Sequence, residues 1–279
     1  SMAEDAQAAI EISLVISDVD GTLVTTEKVL TARAAAAVHK LASSGIAFAV
    51  TSSRPPRGLA MLIEPLALIT PLTGFNGGVI AAPDMTVLEE HLLDPAAAQR
   101  AVALVRESGL EPWVFTPDAW IINDPAGAHV AHEEHTVQFP PVIVKDFGPA
   151  LGRVGKIVGV SDDHALVARA ETTIRAALGA AASVQRSQLY YLDITHPEAN
   201  KGAAVAALSR RLGIPSTRIA TIGDGDNDVA MFRRSGLSIA MGNASPEVKA
   251  QAHFTTLSNE ADGFAEAMEG IILPKVQRR

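Results

Sequence analysis

Cysteine is absent from this chain. That rules out a disulfide framework, a thiolate metal site and a cysteine nucleophile. Basic residues are in short supply, with 23 Lys and Arg against 31 Asp and Glu, a net charge of -8. Nonspecific nucleic-acid binding, which rests on basic surface, is therefore not expected. An anionic small molecule is still admissible, because one local cation can dominate a cleft. No apolar run approaches the ~18 residues of a membrane span. The opening Ser1-Met2-Ala3-Glu4-Asp5 is acidic and lacks the basic start of a signal peptide. Ser1 ahead of Met2 reads as an expression scar. A cytoplasmic protein with no membrane partner is expected on these grounds. Aromatics make up only 4%, and both tryptophans, Trp113 and Trp120, fall in one stretch. What is plentiful is apolar aliphatic sequence. The 279 residues are 48% hydrophobic and 19% charged, enough for a globular fold of one large or two ordinary domains.

The pattern along the chain changes twice. Residues 12–17, 46–51 and 68–70 read as short buried strands. Between them lie a helix capped by Thr31 and stopped by Gly45, and a second helix over 57–64 behind Pro55 and Pro56. A turn at 74–78 and a strand at 79–81 follow. This rhythm predicts a parallel sheet with right-handed crossovers. From 87 the pattern becomes half-exposed strands, a hairpin around Trp113 and Trp120, and helices over 95–108, 126–135 and 162–178. Strands are also expected at 142–144, 156–160, 183–187 and 189–195. The first rhythm then returns, with a helix over 200–212, strands at 218–222 and 237–241, and a closing helix over 260–272. The expected fold is α/β, a Rossmann-like parallel-sheet core with an inserted α+β cap domain. Its core is discontinuous, 1–83 and 194–279, and the insert is 84–193.

The chemistry gathers at strand ends. Asp18-Val19-Asp20-Gly21-Thr22 follows the first strand, and Ser52-Ser53-Arg54 follows the second. Gly223-Asp224-Gly225-Asp226-Asn227-Asp228 follows the strand after the insert, and Lys201 opens the helix that re-enters the core. In an open parallel sheet such ends converge on one crevice. Clustered carboxylates call for a hard divalent cation, and Mg²⁺ takes carboxylates, waters and substrate phosphate. Asp18 and Asp224 are the expected ligands, with the Asp20 main-chain carbonyl adding an oxygen and Asp228 acting through water. A phosphoryl group would then be held by Ser52, Lys201 and the backbone near Gly21 and Thr22. One carboxylate would attack phosphorus. Asp18, fixed at the strand end, suits the nucleophile. Asp20 suits the acid that protonates the leaving alkoxide and then the base for water, which requires its pKa to be raised.

These motifs resemble the haloacid dehalogenase (HAD) superfamily of phosphohydrolases. Asp18 to Leu23 is similar to its first signature, Val50 to Arg54 to its second, Lys201-Gly202 to its third and Gly223 to Asp228 to its fourth. Phe75-Asn76-Gly77-Gly78, Ala240-Met241-Gly242-Asn243-Ala244 and a cap of about 110 residues between the second and third motifs resemble the Cof-type sugar-phosphatase branch. The resemblance implies a Mg²⁺-dependent phosphatase for a small phosphorylated metabolite, with metal contacts at Asp18, Asp20, Asp224 and Asp228. It also implies substrate contacts at Ser53, Arg54, Asn76, Gly77 and Asn227. One departure is Ser53, where that branch usually carries Gly.

Other readings compete. A phosphomutase or phosphotransferase would use the same aspartyl phosphate, and a non-catalytic binding module would use the same fold. Asp224, Asp226 and Asp228 mimic a calcium loop, but Val229 and Ser235 stand where an EF-hand needs Gly and Glu. Arg54 suits either a substrate contact or a pairing with a core carboxylate. His129, His132 and His135 match no zinc-enzyme spacing and read as a cap surface. Trp113 and Trp120 read as cap core rather than sugar platforms. Tyr190, Tyr191 and Asp193 fit strand packing as well as substrate contact. The oligomeric state is not written in the sequence.

Overall fold

A computed structural model describes residues 10–275. The acidic start of the chain, and the signal-peptide reading made on it, lie outside the described residues. The chain forms two compact units. The first holds the described residues up to Ser52, Leu62–Leu72 and those from Lys201 on; the second holds Ser53–Met61 and Thr73–Asn200.

The first unit is built on parallel strands in the order Phe254–Thr255, Leu237–Ala240, Ile219–Gly223, Leu14–Asp18, Ala47–Thr51. Alternation along these strands sends side chains to two faces. On one face Leu14, Ile16, Ala49 and Ile219 meet Val205 and Leu208 of the helix Lys201–Leu212. On the other, Phe48 meets Phe264 edge-on at 5.8 Å. The helix Ala32–Ser43 begins as expected, with the Thr31 hydroxyl accepting from the Ala34 amide. Leu14–Asp18 is flanked on both sides, by Ile219–Gly223 and Ala47–Thr51, so its end lies between two other strand ends.

In the second unit a six-stranded sheet runs Ser183–Gln188, Tyr191–Thr195, Lys156–Val160, Glu111–Phe115, Trp120–Ile122, Val142–Ile143. It is antiparallel except at its last pair. One face buries Val114, Ile157, Leu192 and Ile194 against the helices Pro95–Glu107 and His164–Leu178. The other is aromatic, with Trp113, Phe115, Trp120 and Tyr191 packed against Phe75, Val130, Val137 and Phe139.

Four expected elements differ. Residues 68–70 are not a strand; Ile69 is 90% exposed and the strand is Leu72–Gly74. The helix over 57–64 is a tight turn helix, Pro56–Leu62. There the Gly58 carbonyl is taken by the Arg54 guanidinium at 3.0 Å. The helix over 126–135 starts later, as Val130–Val137, because Asp124 closes a turn on Ala126 and His129 is left-handed. The closing helix over 260–272 starts later. Asp262 is left-handed at φ 54°, and Gly263 sits where any Cβ would strike the Leu257 backbone, so the helix runs from Gly263, as an α-helix to Ala267 and a wider π-turn over Met268–Ile272.

Candidate active site

Asp18 closes the central strand and is 6% exposed. Lys201 is the first residue of its helix and is 1% exposed. Its ammonium donates to Asp18 Oδ1 at 2.8 Å and to Asp228 Oδ1 at 2.6 Å. The second Asp228 oxygen accepts from the Asp224 and Gly225 amides at 2.9 and 3.0 Å. Asp228 therefore folds the loop that carries Asp224 and orients the lysine at the same time. Gly223 is required at this turn, because a Cβ there would overlap the Asp228 carboxyl group. Thr22 donates to Asp224 Oδ1 at 3.2 Å. Gly21 has φ +76°, and a Cβ on it would overlap the Asp224 carboxylate. Its conformation and its closeness to that carboxylate both call for glycine.

Asp18, Asp224 and Asp228 each place a carboxylate oxygen within 4.8 Å of the others. Burial pushes Asp18 up from 3.8 to about 7, with the charge of Asp224 adding to the rise and Lys201 opposing it. Burial likewise lifts Asp224 to about 6, and it lifts Asp228 to about 7 with the charge of Asp18 adding. Burial opposes the Lys201 ammonium, but Asp18 and Asp228 outweigh it and hold its pKa above the ordinary 10.5. Fully ionised, three carboxylates and one ammonium leave a formal charge of -2. Two carboxylates held this close are stable only with a proton or a cation between them. An all-oxygen donor set of this charge fits a hard divalent cation.

Asp20 lies apart from that trio. Its Oδ1 is 2.9 Å from Lys28 Nζ, an ion pair. Ser52 is buried directly after the strand Ala47–Thr51 in the first unit, and Asn227 is buried beside Asp228. Asn243 went unassigned in the sequence reading, although it lies in the quoted stretch from Ala240 to Ala244. Its amide donates to the Gly21 carbonyl at 2.9 Å and reaches Asp224 Oδ2 at 3.4 Å. It thereby ties the first motif's turn to the fourth motif.

Ser53, Arg54, Asn76 and Gly77 belong to the second unit. There the two loops are joined, with the Phe75 amide donating to the Arg54 carbonyl at 2.9 Å. Phe75, Asn76 and Gly77 are left-handed in succession, at φ 50°, 57° and 100°. Such backbone persists only where surroundings enforce it; here Phe75 is buried in the aromatic face. The Arg54 guanidinium donates to the carbonyls of Gly58 and Thr136 at 3.0 and 2.9 Å. Lys156 was also missed: it is 3% exposed, donates to the Ser53 carbonyl at 2.8 Å and lies 4.7 Å from the Phe115 ring centre. A lysine opening an otherwise apolar strand was the available signal. Trp113 and Trp120 are buried and meet edge-on at 5.2 Å, as core residues do. His129 stacks on Tyr190 at 4.1 Å, His132 bonds the Tyr190 hydroxyl at 3.2 Å, and His135 is exposed.

The profile of the haloacid dehalogenase-like hydrolases matches residues 15–268. The chain belongs to this family. It is 30% identical to an HMP-PP phosphatase of Cronobacter sakazakii, over 84% of this chain and 85% of that relative. It is 25% identical to a 5-amino-6-(5-phospho-D-ribitylamino)uracil phosphatase of Bacillus subtilis, over 92% and 96%. A haloacid dehalogenase-like hydrolase of Bacteroides thetaiotaomicron superposes with a TM-score of 0.83 at 26% identity, covering 94% of this chain and all of that one. This member of the family is a phosphatase. Among the described residues, no helix is long and apolar enough to cross a membrane.

Proposed function

We propose that this phosphatase hydrolyses a small phosphorylated metabolite, a sugar phosphate, through an aspartyl phosphate on Asp18. The supporting observation is the buried Lys201 ammonium shared by Asp18 and Asp228, with Asp224 alongside. An ammonium has three donors, so two carboxylate contacts leave one for a phosphoryl oxygen. Lys201 also fixes the direction in which Asp18 presents its other oxygen. That oxygen attacks phosphorus and the ester P–O bond breaks. Asp20, released from Lys28, gives its proton to the leaving alkoxide. It then takes a proton from water, which attacks phosphorus and frees Asp18 with inorganic phosphate. Ser52 and the amides around Gly21 and Thr22 steady the phosphoryl oxygens, with Asn227 assigned to the substrate's surroundings. Mg²⁺, held by Asp18 and Asp224 with the Asp20 carbonyl and with Asp228 through water, would supply positive charge against the phosphoryl oxygens.

The segment 84–193 is assigned the cap's role of choosing the substrate. The substrate named for the Bacillus subtilis relative carries a phospho-D-ribityl chain, which favours a phosphorylated polyol or sugar. A screen of phosphorylated metabolites with Mg²⁺, following phosphate release, tests the reading. Free phosphate supports hydrolysis; an isomerised sugar phosphate without phosphate release would make the protein a mutase.

A further inference from the structure

We propose that His91, His196 and Glu198 form a second cation site, which takes a borderline transition metal such as Zn²⁺ rather than Mg²⁺. All three belong to the second unit. One ligand atom from each lies within 4.8 Å of the other two. His91 Nδ1 is 4.0 Å from Glu198 Oε2, and the two imidazole rings are centred 5.3 Å apart. Two imidazoles and a carboxylate are the donor set that Zn²⁺, Ni²⁺ and Cu²⁺ prefer, whereas Mg²⁺ favours oxygen. The chain thus carries two clusters of opposite taste, one all-oxygen and buried, the other nitrogen-rich and open to solvent.

The backbone under this cluster is well anchored. The His91 amide donates to the Gly78 carbonyl at 2.7 Å, and the Ala199 amide closes the turn on the His196 carbonyl at 2.9 Å. Pro197 fixes the link between His196 and Glu198. The side chains retain freedom, because those of His91 and Glu198 are 41% and 74% exposed. Ligands across a tetrahedral Zn²⁺ stand roughly 3.3–3.5 Å apart, given bonds of about 2.0–2.2 Å. The cluster is therefore open by about 1 Å, a gap that rotation of two exposed side chains closes. His196 Nδ1 accepts from the Glu198 amide at 3.0 Å. Ligation through either ring nitrogen releases that amide, which at this exposed turn passes to water. Burial, with the neighbouring His91 charge, also lowers the His196 pKa. A ligand ring must be neutral, and a lowered pKa favours that form.

The test is a Zn²⁺ titration of the full chain against a chromogenic chelator, with Mg²⁺ in large excess to occupy the oxygen cluster. The expected result is one Zn²⁺ bound per chain, with a rise in Tm. His91→Ala and His196→Ala should each weaken binding at least about tenfold. The double variant should abolish binding and the Tm rise, and His135→Ala should change neither. Phosphatase activity in Mg²⁺ alone, measured on the same variants, verifies that they fold. Failure of the wild-type chain to bind Zn²⁺, or undiminished binding in the double variant, would overturn the proposal.

Discussion

The two units use buried charge differently. In the first, Lys201 is buried against two carboxylates with a third beside them, and the carboxyl pKa values rise to about 6 or 7. In the second, the buried Lys156 contacts a carbonyl and a ring face, with Asp193 at 4.0 Å. The ring is that of Phe115, part of an aromatic cluster with both tryptophans, Phe75 and Phe139. The first arrangement is under electrostatic tension that a cation relieves, as a reacting centre requires. The second sets its lysine against a carbonyl and a ring face. That is a way to hold a shape, which suits the substrate-choosing role proposed for 84–193.

If this contrast holds, the largest effects on turnover come from the first unit. Asp18→Asn should reduce phosphate release by roughly 10⁴-fold or more while leaving thermal unfolding near that of the wild type. Asp20→Asn should cost about 10²–10⁴-fold on alkyl phosphates and clearly less on aryl phosphates, whose leaving groups need no proton. Equal losses on both ester types would remove Asp20 from the acid's role. Lys201→Met leaves two carboxylates uncompensated in a dry site. The metal-free protein should lose about 3–5 kcal/mol of stability to denaturant. In the second unit Trp113→Ala should cost a similar 3–5 kcal/mol through the cavity it leaves. His135→Ala, on an exposed face, should stay within about 0.5 kcal/mol.

The pH dependence sharpens the same comparison. Asp18, Asp224 and Asp228 have folded pKa values raised above 3.8. Their contribution to stability is therefore full below about pH 4 and is lost as pH rises through about 6 to 7. A divalent cation binds the ionised form, so the Mg²⁺-induced rise in Tm should grow between about pH 5 and about pH 8. Thermal scans with and without Mg²⁺ across that range check it; a pH-independent shift would place the ion elsewhere.

Much of this was legible in the sequence because local and global signals agreed. Lys156–Val160 falls where expected, Lys201–Leu212 and Ile219–Gly223 lie within a residue of their expected places, and the Asp18, Lys201 and Asp224 motifs sit on the elements predicted for them. The failures share a cause. Residues 68–70 have the composition of a strand and 260–262 that of a helix start, but tertiary contacts decide otherwise. The Thr70 hydroxyl donates to the Phe48 carbonyl at 2.6 Å, and Gly263 bonds back to Ser258 at 2.9 Å. Lys28, Lys156 and Asn243 were missed for the same reason. Each acts through a partner between 8 and 222 positions away in the chain, and, apart from the lysine that opens an apolar strand at Lys156, no local pattern announces such contacts.

The central claim is that Asp18 carries the phosphoryl group. The direct test is acid-quenched, pre-steady-state turnover followed by borohydride reduction of any acyl phosphate and peptide mass analysis. The account predicts a mass change confined to the peptide containing Asp18, formed at the rate of turnover and absent from Asp18→Asn. Rapid turnover with no modified peptide, or a modification on another carboxylate, would contradict it.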